Sequence, residues 1–258
     1  MSEHFYKGMN SDQLEELLSN FLVDSWSYSK LASFSRHEKE FEMVHIYGYR
    51  SKKSSTTIAG QAYHKALQVY FENKKNGIIL DILDLESISF SYIDEIHPNS
   101  WKLQKTTPSI SECIEKANKT TTQLLRNFYS EKSVYEDECL NVLEVEVYCN
   151  EFLTINGVDI PLPCHSMIDL VIETKDNKIV IIDHKSKASF SNEQELSLTI
   201  GKQAITYVKT YEQKTGLQVS EIWFIENKYS QNRDKSKQLN CFKTEMTEDN
   251  RRLYEALL

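Results

Sequence analysis

The sequence predicts an α/β domain in which a mixed β-sheet is flanked by helices. Three observations predict it. Helical patterns fill most of the first half of the chain. A set of Ile- and Val-rich runs follows, centred on 167-MIDLVIETKDNKIVIIDHKSK-187, with the composition of buried strands. One long helical pattern then separates these runs from two more strand-like ones. Helices, three strands, a helix and further strands is the order of a mixed sandwich, not of a regularly alternating doubly wound fold. A chain of 258 residues, 40% of them hydrophobic, can bury one sizeable core. Residues 1–258 are therefore read as one domain, with a helical part at 1–75, an insertion at 76–108 and a core at 140–227.

The elements follow in order. SDQLEELLSNFL (11–22) reads as a helix with Ser11 as its N-cap. SWSYSKLASFSRHEKEFEMVHIYG reads as another, starting near Ser29. The cleanest helix covers 57–73, where Gly60, His64, Leu67 and Phe71 share one face. Residues 76–108 mix an apolar-acidic stretch with turn-prone Pro98 and Pro108. A helix over 109–132 offers Ile114, Ala117, Leu124, Leu125 and Phe128 to the core. LNVLEVEVYC (140–149) alternates as a strand does, placing Leu143, Val145 and Val147 on one face and Glu144 and Glu146 on the other. The two Ile/Val strands come next, then a helix over 192–214 ended by Gly216. SEIWFIENK and QLNCFKTEMT read as strands, and the chain ends inside a further helix, EDNRRLYEALL, cut short.

The net charge of −8 argues against a protein that coats nucleic acid electrostatically. It leaves room for one that holds a cation with carboxylates. The five cysteines are scattered without a CxxC pair, so neither a zinc knuckle nor a disulfide framework is indicated. No apolar run approaches the roughly 20 residues that span a bilayer, and the polar start MSEHFYKGMNSDQ lacks a secretory signal. A cytoplasmic protein without a membrane partner is expected.

The acids inside the apolar runs are the anomaly. Burying an unpaired carboxylate is costly, yet Asp169 lies within the first run, and Asp183 and Lys185 close the second. The bland reading is strand-end acids bonded to solvent. The functional one is a metal site with a basic partner, suited to phosphodiester hydrolysis. Asp183 and Lys185 point the same way and His184 the opposite way. Asp169 joins them only if the hairpin loop is odd-numbered. A three-residue loop at 176–178 sets Asp169 opposite Lys185, and a five-residue loop from Thr174 also keeps the three together. An even loop sends Asp169 to the wrong face. Asn177 suits a left-handed position in that loop. Carboxylates suit Mg²⁺, which activates water and neutralises phosphate charge. A lysine can orient or deprotonate the water, or stabilise the transition state. A second D-x-K, Asp176-Asn177-Lys178, falls in the turn and reads as loop chemistry. Two helical pairs accompany the acids: Gly60 with His64, and Gln203 with Tyr207 one turn apart.

The ordered set Gly60-x-x-x-His64, Glu146, Asp169, Asp183-x-Lys185 and Gln203-x-x-x-Tyr207 resembles the PD-(D/E)XK nuclease superfamily. Its RecB-type exonucleases and CRISPR-adaptation nucleases are the most similar branch, and SYSKLASFSRHEKEF resembles that branch's opening helix. The resemblance implies a restriction-endonuclease-like sheet. It also implies that Asp169 and Asp183 ligate Mg²⁺ or Mn²⁺ with His64 approaching from its helix, and that Lys185 acts on the water. Gln203 and Tyr207 would position DNA, and Glu146, or Glu144 in its place, would be a further acid. The implied activity is metal-dependent DNA exonuclease action in recombination or repair, with DNA and a separate helicase or recombination protein as partners. Many RecB-type relatives hold an iron–sulfur cluster with one N-terminal and three C-terminal cysteines. Here the first position is His37 and the C-terminal region has only Cys241, so no cluster is expected. A non-catalytic nuclease-like module that binds DNA or protein is the alternative, and RNA is the alternative substrate.

Overall fold

Period-two apolar patterning builds the sheet. In the computed structural model, which describes residues 10–192, 200–232, 234 and 236–258, there are seven strands among the described residues. These are β1 (Cys139–Glu151), β2 (Thr154–Ile155), β3 (Val158–Asp159), β4 (Cys164–Thr174), β5 (Ile179–Lys187), β6 (Glu221–Lys228) and β7 (Leu239–Glu245). β2 and β3 form a small hairpin, and the others form one sheet in the order β1-β4-β5-β6-β7. β5 and β6 pair in parallel, and every other neighbour in that sheet is antiparallel. A parallel pair needs a crossover, and the chain between β5 and β6 includes a helix.

The helices are α1 (Ser11–Ser19), α2 (Tyr28–Arg36), α3 (Glu38–Phe41), α4 (Ser55–Lys75), α5 (Ile82–Asp94), α6 (Ile110–Glu131), α7 (Ser133–Glu136), α8 (Gly201–Thr215) and α9 (Glu248–Leu257). Their ends follow local chemistry. Ser109 caps α6 in a reciprocal box with Glu112, and Gly216, at φ 73°, ends α8 in the left-handed conformation. α1 is capped by Asn10 rather than Ser11. The second predicted helix is broken at His37, whose extended backbone ends α2 and whose side chain caps α3. The first residues of the helix predicted over 192–214 fall partly at 193–199, outside the described residues.

Two cores sandwich the sheet. On one face Tyr63, Leu67 and Phe71 of α4 and Leu124 and Phe128 of α6 pack on Leu170, Ile172, Val180 and Ile182. On the other, Ala204, Val208 and Tyr211 of α8 pack on Ile168, Val171, Ile181 and Phe224. The segment read as an insertion, 76–108, contributes α5, whose Leu85 and Ile93 are fully buried among side chains of α4 and α6. Those two side chains are part of the core. The segment's Ile79 and Leu83 are exposed, which blurs the helical period in the sequence.

The predicted alternation of β1 fails at a bulge, where the register with β4 shifts between Val142 and Glu144 and leaves Leu143 as the extra residue, and again at Glu146. Leu143 and Val147 join the α8 core but Val145 joins the α4 core. Glu146 lies between them with φ 51°, left-handed for a non-glycine residue. β4 makes the same change of side, with Ile168 in one core and Leu170 in the other, around Asp169. Val145 pairs with Leu170 and Val147 with Ile168, so Glu146 lies directly across from Asp169.

Candidate active site

The site begins where β4 and β5 part. Their ladder runs from Glu173↔Ile179 to Leu170↔Ile182. That leaves five residues, 174–178, in the loop, the second of the two odd registers expected, and Asn177 takes the left-handed conformation at φ 59°. The next opposed residues are Asp169 and Asp183, and there the strands separate. The carboxylate of Asp169 enters the fork and accepts the backbone N–H of His184 at 2.7 Å. Glu146, Asp169 and Asp183 therefore form one row across β1, β4 and β5. Asp183 is followed in the sheet by Phe224 of β6, so the row ends on apolar core.

Each acid has its own surroundings. Asp183 is 2% exposed and meets the Lys185 ammonium at 2.7 Å through Oδ2. Gln203 donates to its other oxygen at 3.1 Å and to the Tyr207 hydroxyl at 2.8 Å. Burial holds the Asp183 carboxyl above its usual range, against the pull of Lys185. For Asp169, burial also raises the pKa, but the His64 ring at 3.4 Å outweighs it and takes the group down to about 2. Burial opposes charge on His64, and the Asp169 carboxylate overcomes it and raises the pKa. The Lys185 ammonium is likewise raised, burial being outweighed by Asp183 and Asp169. Adjacent carboxyls driven in opposite directions are what acid–base sites display.

Glu146 is pushed up to about 7, first by burial and then by the Asp169 charge. The fold therefore binds its proton more tightly than the unfolded chain, whose ordinary value is 4.5. That stability is lost as pH rises through about 7. Glu146→Gln is expected to melt higher than the wild type at pH 8 and to lose that advantage at pH 5. Equal melting differences at the two pH values would refute the shift. Glu144, expected to share the Glu146 face, does not, since the left-handed residue reverses the pleat. It accepts from the Tyr211 hydroxyl at 2.9 Å on the α8 side.

The predicted residues His64, Glu146, Asp169, Asp183, Lys185, Gln203 and Tyr207 thus converge on one end of the sheet. His184 points to the opposite face, 1% exposed and stacked on Phe71, and burial lowers its pKa to about 4. Lys178 of the turn pairs with Glu221 at 2.5 Å, beyond the other end of the hairpin from the acids, as loop chemistry predicts. Gln203, expected to position DNA, is 8% exposed and donates to Asp183.

Other side chains at the site went unread in the sequence. A 430 Å³ groove beside the row is lined by Thr57, Gln61, His64, Lys65 and Gln68 of α4 with Glu146 and Ser186. Those α4 positions recur at three-to-four spacing, so this polar stripe was readable. Gly60 lets α4 approach β5: a Cβ there would come within 2.6 Å of Ser186 Oγ. Tyr28 of α2 lies close enough to Lys185 and Asp183 for their charges to act on its half-buried hydroxyl, a tertiary relation that no local pattern signals.

Among the described residues no three His, Cys, Asp or Glu side chains are gathered as a ready cage for a metal. The donors nevertheless fit Mg²⁺ or Mn²⁺, which take one or two carboxylates and complete their shell with water and phosphate. Asp183 Oδ2 is buried and accepts no hydrogen bond, with the misaligned Lys185 ammonium as its near neighbour. Among the described residues Asp169 Oδ1 also accepts none; the contacts of that carboxylate fall on Oδ2.

The family model of the PD-(D/E)XK nuclease superfamily matches residues 25–257, and the chain belongs to that superfamily. Nothing among curated proteins matches it. Among solved structures, the crystal structure of SSO0001 aligns over 94% of this chain and 82% of that one, at 13% identity and a TM-score of 0.31. The mixed five-stranded sheet flanked by helices is consistent with a restriction-endonuclease-like fold. Among the described residues no helix is long and apolar enough to cross a membrane.

Proposed function

We propose that this chain is a divalent-metal-dependent DNA nuclease that hydrolyses phosphodiesters from strand ends. The observation that carries this reading is the row Glu146–Asp169–Asp183 with Lys185 held against Asp183. Asp169 and Asp183 would hold Mg²⁺ or Mn²⁺, with His64 at its margin giving up its proton as the cation arrives. When bound, the ion supplies Lewis-acid polarisation of the phosphodiester and acidifies water.

The chain's own residues divide the remaining work. Lys185, kept protonated by Asp183 and Asp169, donates to the negative charge that builds on the phosphorus oxygens. It is not the base. Glu146, at about 7, is the group able to take the proton of the attacking water near neutral pH. Gln203 fixes the Asp183 carboxylate, and Tyr207 is tied to Gln203.

Preference for ends rests on charge. The chain carries a net charge of −8, and the partly exposed Lys74 and Lys187 are paired with Glu136 at 2.7 Å and Glu226 at 2.8 Å, which disfavours extensive contact with a duplex backbone. In this reading the substrate is cytoplasmic DNA in recombination or repair, with a separate helicase or recombination protein as partner. The test is digestion of end-labelled linear DNA, closed circular DNA and RNA with Mg²⁺ or Mn²⁺, beside Asp183→Ala. Metal-dependent loss of linear DNA alone is expected. Cleaved circles would remove the end requirement, and equal activity in Asp183→Ala would end the mechanism. Binding without cleavage would mark a non-catalytic module.

A further inference from the structure

We infer that Tyr135 and His184 form a positioning relay that orients the Asp169 carboxylate from behind the sheet, an inference that rests on the nuclease reading above. The two rings belong to the α4 side of the sheet, away from Lys185. His184 is 1% exposed, stacked on Phe71 at 5.7 Å between centroids and packed edge-on to Tyr135 at 5.9 Å. The Tyr135 hydroxyl lies 3.1 Å from His184 Nε2. On the other side of the ring, Nδ1 lies 3.8 Å from Asp169 Oδ2.

Hydrogen-bond satisfaction decides where the ring proton resides. Tyr135 is 1% exposed, and among the described residues its hydroxyl has no other hydrogen-bond partner. A proton on Nε2 would make the hydroxyl an acceptor and leave its own O–H buried without one. It would also turn the Nδ1 lone pair toward a carboxylate oxygen. Both costs vanish when Tyr135 donates to Nε2 and the proton is on Nδ1. The Nδ1–H then faces Asp169, acting at 3.8 Å through its dipole, since this is beyond hydrogen-bond reach.

The result is selective for one oxygen. The His184 backbone N–H at 2.7 Å, its ring N–H and the His64 ring at 3.4 Å all address Oδ2. Oδ1, free of hydrogen bonds among the described residues, is the oxygen left for a cation. Partners behind a ligand that fix its orientation commonly matter to metal affinity. His184 and Tyr135 touch no substrate in this arrangement; they act through Asp169.

Two measurements test the relay. Nitrogen NMR on the metal-free protein reads the tautomer directly, and Nδ1–H with Nε2 as acceptor is expected, with Tyr135→Phe mixing the tautomers. Calorimetric titration with Mn²⁺ is expected to show affinity about tenfold weaker in Tyr135→Phe. The double variant Tyr135→Phe/His184→Phe should bind as His184→Phe does, because the hydroxyl acts only through the imidazole. A proton found on Nε2, an unchanged Mn²⁺ affinity in Tyr135→Phe, or additive losses would each overturn the relay. If His184→Phe fails to fold, the tautomer and Tyr135→Phe measurements still decide. Failure of the nuclease reading looks different: Asp169→Asn would then bind Mn²⁺ as the wild type does, whatever the tautomer.

Discussion

Lys185→Ala is expected to lower metal-dependent cleavage by about a thousandfold, the scale of losing a charged group that stabilises the transition state. The geometry gives this residue no substitute. Its ammonium is the cation within 2.7 Å of Asp183, and it stands on the same face of β5 two residues on. The variant has a second signature in stability. Without the ammonium, burial and Asp169 raise Asp183 with His64 as the remaining charge that lowers it, so its folded pKa climbs further above 3.8. A carboxyl raised in the fold stabilises below the unfolded pKa and loses that contribution as pH rises through the folded value. Lys185→Ala should therefore approach wild-type stability in acid and fall behind it toward neutrality. Cleavage within tenfold of wild type would refute the catalytic role, and a deficit that does not change with pH would refute the pairing.

The second large effect is expected at Glu226. This residue is fully buried on β6, where it accepts the Ser191 N–H at 2.7 Å, the Ser191 hydroxyl at 2.5 Å and the Lys187 ammonium at 2.8 Å. Removing one member of a buried ionic network strands the others, so Glu226→Ala should lose about 3 kcal/mol in denaturant unfolding. Glu226→Gln keeps part of the hydrogen bonding and should fall between. Ser191 leads toward α8, which carries Gln203 and Tyr207, so cleavage should decline with stability even though Glu226 is not part of the acid row. Wild-type stability in Glu226→Ala would show that the network contributes nothing net.

Much of this was legible in the sequence, for identifiable reasons. α4 and α6 announce themselves through apolar spacing, and β5 through its unbroken Ile/Val run. Asp183 and Lys185 could be placed on one face because a strand has only two. The Asp169 condition reduced to the parity of a loop, and Asn177 marked the turn. What failed were relations that depend on pairing. Alternation along β1 assigned Glu144 and Glu146 to one face, and a single left-handed residue separated them. α5 was hidden because its exposed Ile79 and Leu83 flank its start and disguise which side is buried. The hydrogen bond from Gln203 to Asp183 went unread because a helix face does not reveal whether it looks at solvent or at a neighbouring strand. Tyr135 and His184 lie 49 positions apart and meet only through the fold.

The paired change of side at Glu146 and Asp169 has a consequence for how this protein can vary. Skip both residues, and the inward and outward order of their neighbours runs on without interruption: Val145 to Val147 on one strand, Leu170 to Ile168 on the other. The acids are supernumerary to the pleat. A scaffold of this kind can shed its chemistry without repacking either core, and can acquire it by two matched additions. Residues that the architecture does not need for its own cohesion are free to be chosen for reactivity alone.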